Sequence, residues 1–203
     1  MKKQIWGVNH SLDEVGATVK KLNECRPKKV GLEVTPTQLK IGMPNFFYQI
    51  GEYLENRNIE IFPLEDRSLR NMYYSVILAR NVLHGKMDIK ELNRNSGQFL
   101  IHYSYDIDGY KSPQTTNEWI NGLMTHTTAV GILDAINNLE DLAKVWERTN
   151  ILREQHMTEQ ARKYDLDLLI IGRGHGPQMA KYLHDYTYTD FDPDVPVEGF
   201  YKA

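Results

Sequence analysis

The run Leu168–Ile171, "LLII", is followed at once by "GRGHG". Four consecutive apolar residues, two of them β-branched and closed off by glycines, read as a strand covered on both faces, which is how strands of a parallel sheet look. Residues Gly172–Pro177 then form the turn, and helical spacing resumes over Gln178–Leu183. His175 therefore stands at the carboxyl end of a strand. In an open α/β sheet ligands bind along that edge.

The N-terminal part repeats the strand–turn–helix order. Gln4–Val8 is a strand candidate, Ser11 and Glu14 have capping-box spacing, and Val15, Val19 and Leu22 form a helical stripe. Lys28–Thr35 supplies the next strand and completes a βαβ unit, for which parallel, right-handed pairing is expected. Asn45–Asn58 reads as a helix with Phe46, Ile50 and Leu54 on one face, and Ile59–Leu64 as a third strand.

From Asp66 to about Asn150 the pattern changes. Arg67–Leu83 and Asn117–Leu139 are helical by periodicity, whereas the Tyr-rich stretch between them reads either as a hairpin or as an irregular loop. Leu142–Tyr164 is a further helix. The tail, about 185–203, mixes acids, prolines and aromatics and is expected to be irregular, packed on the surface or against a partner. The expectation is one α/β domain over residues 1–203, with a mostly parallel central sheet, flanking helices and a mainly helical insertion at about 67–150.

Composition narrows the function classes. At 41% hydrophobic and 25% charged, 203 residues suffice for a well-buried domain, and the net charge of -3 with interleaved lysines, arginines and acids leaves no footprint for nucleic acid. Cys25 is the only cysteine, so no intramolecular disulfide and no cysteine-based zinc cluster can form, and a reducing compartment fits. The apolar stretch near the N-terminus is too short for a signal peptide, and no run approaches the ~18 apolar residues of a membrane span. A cytoplasmic protein without membrane segments is expected.

The chemistry-bearing residues gather at strand ends. Gly7–His10 ("GVNH") and Gly172–His175 ("GRGH") both follow a strand and both obey Gly-x-x-His, which in a parallel sheet puts two imidazoles on one rim. The glycines are expected to supply positive φ and close backbone approach. Glu33 lies among Val30, Leu32 and Val34; it either is buried with a partner or sits at a solvated strand end beside Lys28 or Lys29. Glu65, Asp66 and Arg67 close the third strand, as rim ligands or as acids at a helix start. His84 reads as a helix C-terminal residue; His126 and His156 fall mid-helix, His102 and His184 carry no signal, and no His-x-x-x-His occurs on one helix.

In this order the motifs resemble the TraB/PrgY family, part of a superfamily with Tiki metalloproteases, erythromycin esterases and ChaN haem-binding proteins. The resemblance covers about residues 4–80 and 146–183, and the Tyr-rich centre lies outside it. It places the family's first histidine on His10, its glutamate on Glu33, its Asp-Arg on Asp66 and Arg67, its helix arginine on Arg153 in preference to Arg148, and its second histidine on His175. Many TraB proteins carry C-terminal membrane helices, which this sequence lacks, so no membrane role is carried over.

The resemblance implies a hydrolase of peptide, amide or ester bonds acting on a peptide or small-molecule substrate. In its metal-dependent form His10, His175, Glu33 and Asp66 hold Mn²⁺ or Zn²⁺, which lowers the pKa of a bound water to about 7. Glu33 is third ligand or general base, and Arg67 and Arg153 hold a substrate carboxylate or the oxyanion. In a metal-free form Glu33 or a histidine polarises water directly. The competing reading is a non-catalytic binder: haem on His10 or His175 with Tyr103, Tyr105 and Tyr110 as walls, or a phosphate-containing ligand on "GRGHGP". A third is an interaction protein, a homo-oligomer whose tail docks on a second subunit, although Tyr186, Tyr188, Phe191, Phe200 and Tyr201 would equally cover the protein's own core.

Overall fold

A computed structural model of the chain describes residues 2–36, 46–86, 88 and 127–191. In chain order the elements are β1 (Lys3–Val8), α1 (Glu14–Cys25), β2 (Lys29–Leu32), α2 (Phe46–Glu55), β3 (Glu60–Pro63), α3 (Arg67–Leu83), α4 (Leu139–Tyr164), β4 (Leu168–Gly172), α5 (Gly176–Tyr182) and β5 (Tyr186–Asp190). Residues 127–135 are also helical. The chain divides into two compact units, one taking in Met1–Asp66 and Arg153–Glu198, the other Arg67–Leu152 and Gly199–Ala203.

The first unit is built on a five-stranded sheet of order β3-β2-β4-β1-β5 in which every pairing is parallel. The apolar run of β4 explains its place in the middle. Leu168 and Ile170 pack with Trp6, Val30, Leu32 and the α1 and α2 residues Leu22, Ile50 and Leu54, while Leu169 and Ile171 pack with Ile5, Met157, Met179 and Leu183 on the opposite face. All four are buried, at about 1.5–3 kcal/mol each. A strand apolar on both faces cannot sit at an edge.

Chain order and strand order differ here. β1 and β2 are parallel, as a βαβ unit requires, but they do not pair, because β4 lies between them. α1 and α2 contribute to the core on one face, and α4 and α5 to the core on the other. The loops leaving β1 and β4 thus diverge to opposite faces from adjacent strands. Such a divergence opens a crevice at the carboxyl ends of the two strands.

Two local expectations are corrected. No side-chain capping bond starts α1; Asp13 is the N-cap, and the Glu14 carboxylate instead accepts from the Asn9 backbone N–H (2.8 Å) and Asn9 Nδ2 (3.2 Å). The tail is not irregular at its start, since Tyr186–Asp190 is a fifth strand paired with β1. Its "YTYTD" carries a period-2 alternation, and Tyr186 is buried with its hydroxyl donating to the Leu166 carbonyl at 2.6 Å. Tyr188 and Phe191 pack on the two apolar clusters of their own unit; Phe200 and Tyr201 lie outside the described residues.

The second unit has its own core, formed by Val76 and Ala79 of α3, Leu142 and Ala143 of α4, and Ile132, Leu133 and Trp146 around them. The Tyr-rich stretch expected as hairpin or loop lies outside the described residues, as do residues 117–126 of the helix expected over Asn117–Leu139. Among the described residues no helix is long and apolar enough to cross a membrane.

Candidate functional site

Register sets the site. Val8 of β1 pairs with Gly172 of β4, so these two strands end at one level, and Leu32, the last residue of β2, pairs with Ile170 two residues earlier on β4. The next residues along each chain, Asn9-His10, Arg173-Gly174-His175 and Glu33, therefore emerge side by side.

Glu33 lies at the centre. Its backbone N–H still donates to the Ile170 carbonyl (3.2 Å), which extends the ladder one residue and turns the side chain into the cleft. Oε2 accepts from the Gly172 N–H, and Oε1 accepts from Arg153 Nη2 at 2.9 Å. Arg153 in turn donates through Nε (2.8 Å) and Nη2 to Oε1 of Glu65. Glu33, Glu65 and Arg153 are all buried, each about 5% exposed or less. A buried carboxylate requires such partners, and Arg153 binds two of them at once. Lys28 and Lys29 are not the partners of Glu33; their backbone N–H groups are held by Asp167, at the opposite end of the strands.

The two imidazoles approach Glu33 from either side. His10 Nε2 lies 3.7 Å from Oε2, and His175 Nε2 lies 3.6 Å from Oε1. These separations are too long for direct hydrogen bonds and suit a group held between them. His175 is anchored from behind, its Nδ1 being 3.0 Å from Oε1 of Glu154. A carboxylate only accepts, so Nδ1 carries a proton, and Nε2 faces the cleft. His10 is the solvent-side member, with 40% of its side chain exposed. Its ring packs on Phe47 (centroids 4.6 Å apart), and its backbone takes φ +61°, an uncommon value that non-glycine residues show mainly where surrounding structure enforces it.

Electrostatics follow from this arrangement. Burial pushes the Glu33 carboxyl up, but the His175 and His10 imidazoles, the Arg153 guanidinium and the Gly172 N–H together outweigh it and hold the group at about 2. Glu33 is an anion across the working pH range.

The glycines have a different role from the one expected. Among the described glycines only Gly85 has a positive φ. A Cβ on Gly172 would instead fall 3.0 Å from Glu33 Oε2 and 3.2 Å from Cε1 and Nε2 of His10. The glycine of the second Gly-x-x-His motif makes room for the histidine of the first.

Of the residues expected in the site, His10, Glu33, His175 and Arg153 come together. Arg153 is the helix arginine of the cluster, and Arg148 is exposed. Arg153 is buried and bonded to both Glu33 and Glu65. At the end of β3 it is Glu65, not Asp66, whose carboxylate reaches Arg153; Asp66 is half-buried in the following loop, and Arg67 opens α3 in the other unit. Among the described residues no group of three or more His, Cys, Asp or Glu stands in position to hold a metal ion. Tyr103, Tyr105 and Tyr110 lie outside the described residues.

Glu154 was not expected. The signal was present, because Glu154, Met157, Thr158 and Ala161 form one buried stripe of α4, and a carboxylate on such a stripe demands a partner. No family model matches the sequence, and no curated protein and no solved structure matches it either.

Proposed function

We propose that the cleft is a hydrolytic site for a peptide, amide or ester bond, in which His175 is the general base. The observation that carries this reading is the approach of His10 and His175 to the two oxygens of one buried carboxylate, with His175 backed by Glu154. The motif resemblance to TraB/PrgY proteins supports the same reaction class.

A water between the two Nε2 atoms loses a proton to His175 Nε2 as its oxygen bonds to the substrate carbonyl carbon. Glu154 keeps the imidazole in the required tautomer, and Glu33 stabilises the imidazolium that forms, the division of labour seen in hydrolytic triads. The tetrahedral intermediate collapses as His175 returns the proton to the leaving nitrogen or oxygen and the scissile bond breaks. His10, on the open side, is placed to donate to the oxyanion. Arg153 and Glu65 fix the position of Glu33.

The test is a panel of p-nitrophenyl esters and peptide amides offered to untagged protein, with and without chelator. Wild-type protein is expected to hydrolyse one class in chelator, His175→Ala to lose at least about 100-fold in kcat/KM, and Glu154→Gln to shift the acid limb of the pH profile. Activity lost in chelator and restored by Mn²⁺ or Zn²⁺ would replace this mechanism with the metal-dependent one. No turnover of any class, together with a haemin titration that saturates at one equivalent, would replace hydrolysis with binding.

A further inference from the structure

Tyr188 of β5 touches both histidine turns. It stands opposite Ile5 in the β1–β5 register and packs on the apolar cluster that includes Met179 of α5 and Leu183 just after it. A Cβ on Gly7, three residues before His10, would lie 2.6 Å from the Tyr188 hydroxyl and 3.0 Å from its Cε2. On Gly176, directly after His175, it would overlap Cε2 and lie 2.7 Å from Cδ2 and Cζ. Real Cβ atoms do not approach that closely, and neither glycine has a positive φ to account for its lack of a side chain. One edge of one ring occupies the space that both glycines leave.

The turn that carries His175 is held at both ends. Gly176 abuts the ring, and the carbonyl of Arg173 is 3.4 Å from the phenol oxygen, a contact too long to contribute much. The shape of the ring, more than its hydroxyl, fixes the turn. Burial and the neighbouring Asp190 push the phenol up to about 12, so it stays neutral at any working pH.

We infer that Tyr188 is a positioning residue, a wedge seated between Gly7 and Gly176 that sets the spacing of the His10 and His175 turns. Its catalytic meaning rests on the hydrolytic reading above. Misplacing a catalytic group by about 1 Å can cost on the order of 100-fold in rate, so such a wedge bears on kcat rather than on substrate affinity.

Imidazole ¹H–¹⁵N spectra test this without any turnover. Tyr188→Ala is expected to move the His175 ring signals and to lose the single Nδ1–H tautomer, whereas Tyr188→Phe leaves them near wild type. Leu166→Ala, a cavity in the same apolar cluster at the far end of β4, serves as the packing control and should lower Tm while leaving those signals in place. A second arm uses steric complementarity: Gly176→Ala should lower Tm by several degrees in wild type and by little in Tyr188→Ala. Should Tyr188→Ala not fold, Tyr188→Leu replaces it in both arms. Ring signals unmoved by loss of the aromatic ring, signals moved equally by Leu166→Ala, or an undiminished Gly176→Ala cost would each overturn the wedge. Wild-type protein without hydrolytic activity would overturn the catalytic reading and leave the wedge standing.

Discussion

Replacing Glu33 by glutamine keeps the shape of the side chain and removes its charge. In the folded protein the carboxyl is held at about 2 against an ordinary 4.5, with burial opposing and the two imidazoles, Arg153 and the Gly172 N–H prevailing. At ~1.4 kcal/mol per tenfold change in proton affinity, that difference corresponds to roughly 3 kcal/mol of folding free energy. The unfolded chain takes up this proton first as pH falls. The contribution is therefore full above about pH 4.5 and fades as pH drops through about 2. Glu33→Gln should be roughly 3 kcal/mol less stable than wild type at pH 5, a urea midpoint shift of about 1.5 M for a denaturant slope near ~2 kcal/mol/M, and the gap should close toward pH 2. Two compact units make a single transition a poor assumption. Trp6 is buried in the sheet unit, so its fluorescence in a Trp119→Phe, Trp146→Phe background reports on that unit alone. Acid limbs that run parallel in wild type and variant from pH 6 to pH 2 would refute the reasoning.

Arg153→Met leaves Glu33 and Glu65 buried beside an apolar side chain and should cost about 3–5 kcal/mol, against about 0.5 or less for exposed Arg148→Met, both read by urea titration. Gly172→Ala puts a methyl 3.0 Å from Glu33 Oε2 and 3.2 Å from the His10 ring; it should displace the His10 ring resonances, and a variant with wild-type His10 signals would contradict the contact. Tyr186→Phe removes the buried hydrogen bond to the Leu166 carbonyl and should lose about 1 kcal/mol without affecting either site histidine in the imidazole spectrum.

The rim position of His10, Glu33 and His175 is legible in the linear chain because the signals are local. An apolar run marks the strand, glycines and a resumed helical period mark the turn, and a carboxylate among Val30, Leu32 and Val34 marks a group that needs a partner. The same logic would have exposed Glu154 on its buried stripe and β5 in its alternating tyrosines, had a single charged or polar residue in a short pattern been given more weight than the lack of a long one.

What the amino-acid sequence by itself determines here is which segments from β1 to α5 are strands and helices, and that a parallel sheet gathers its strand ends on one edge, since both follow from residue periodicity over a few turns of chain. Only the tertiary structure decides that β4 enters between β1 and β2, that Arg153 joins Glu33 to Glu65, and that Gly172 yields space to His10. Those choices depend on contacts between segments far apart in sequence. Strand order sets them, and no local pattern encodes strand order.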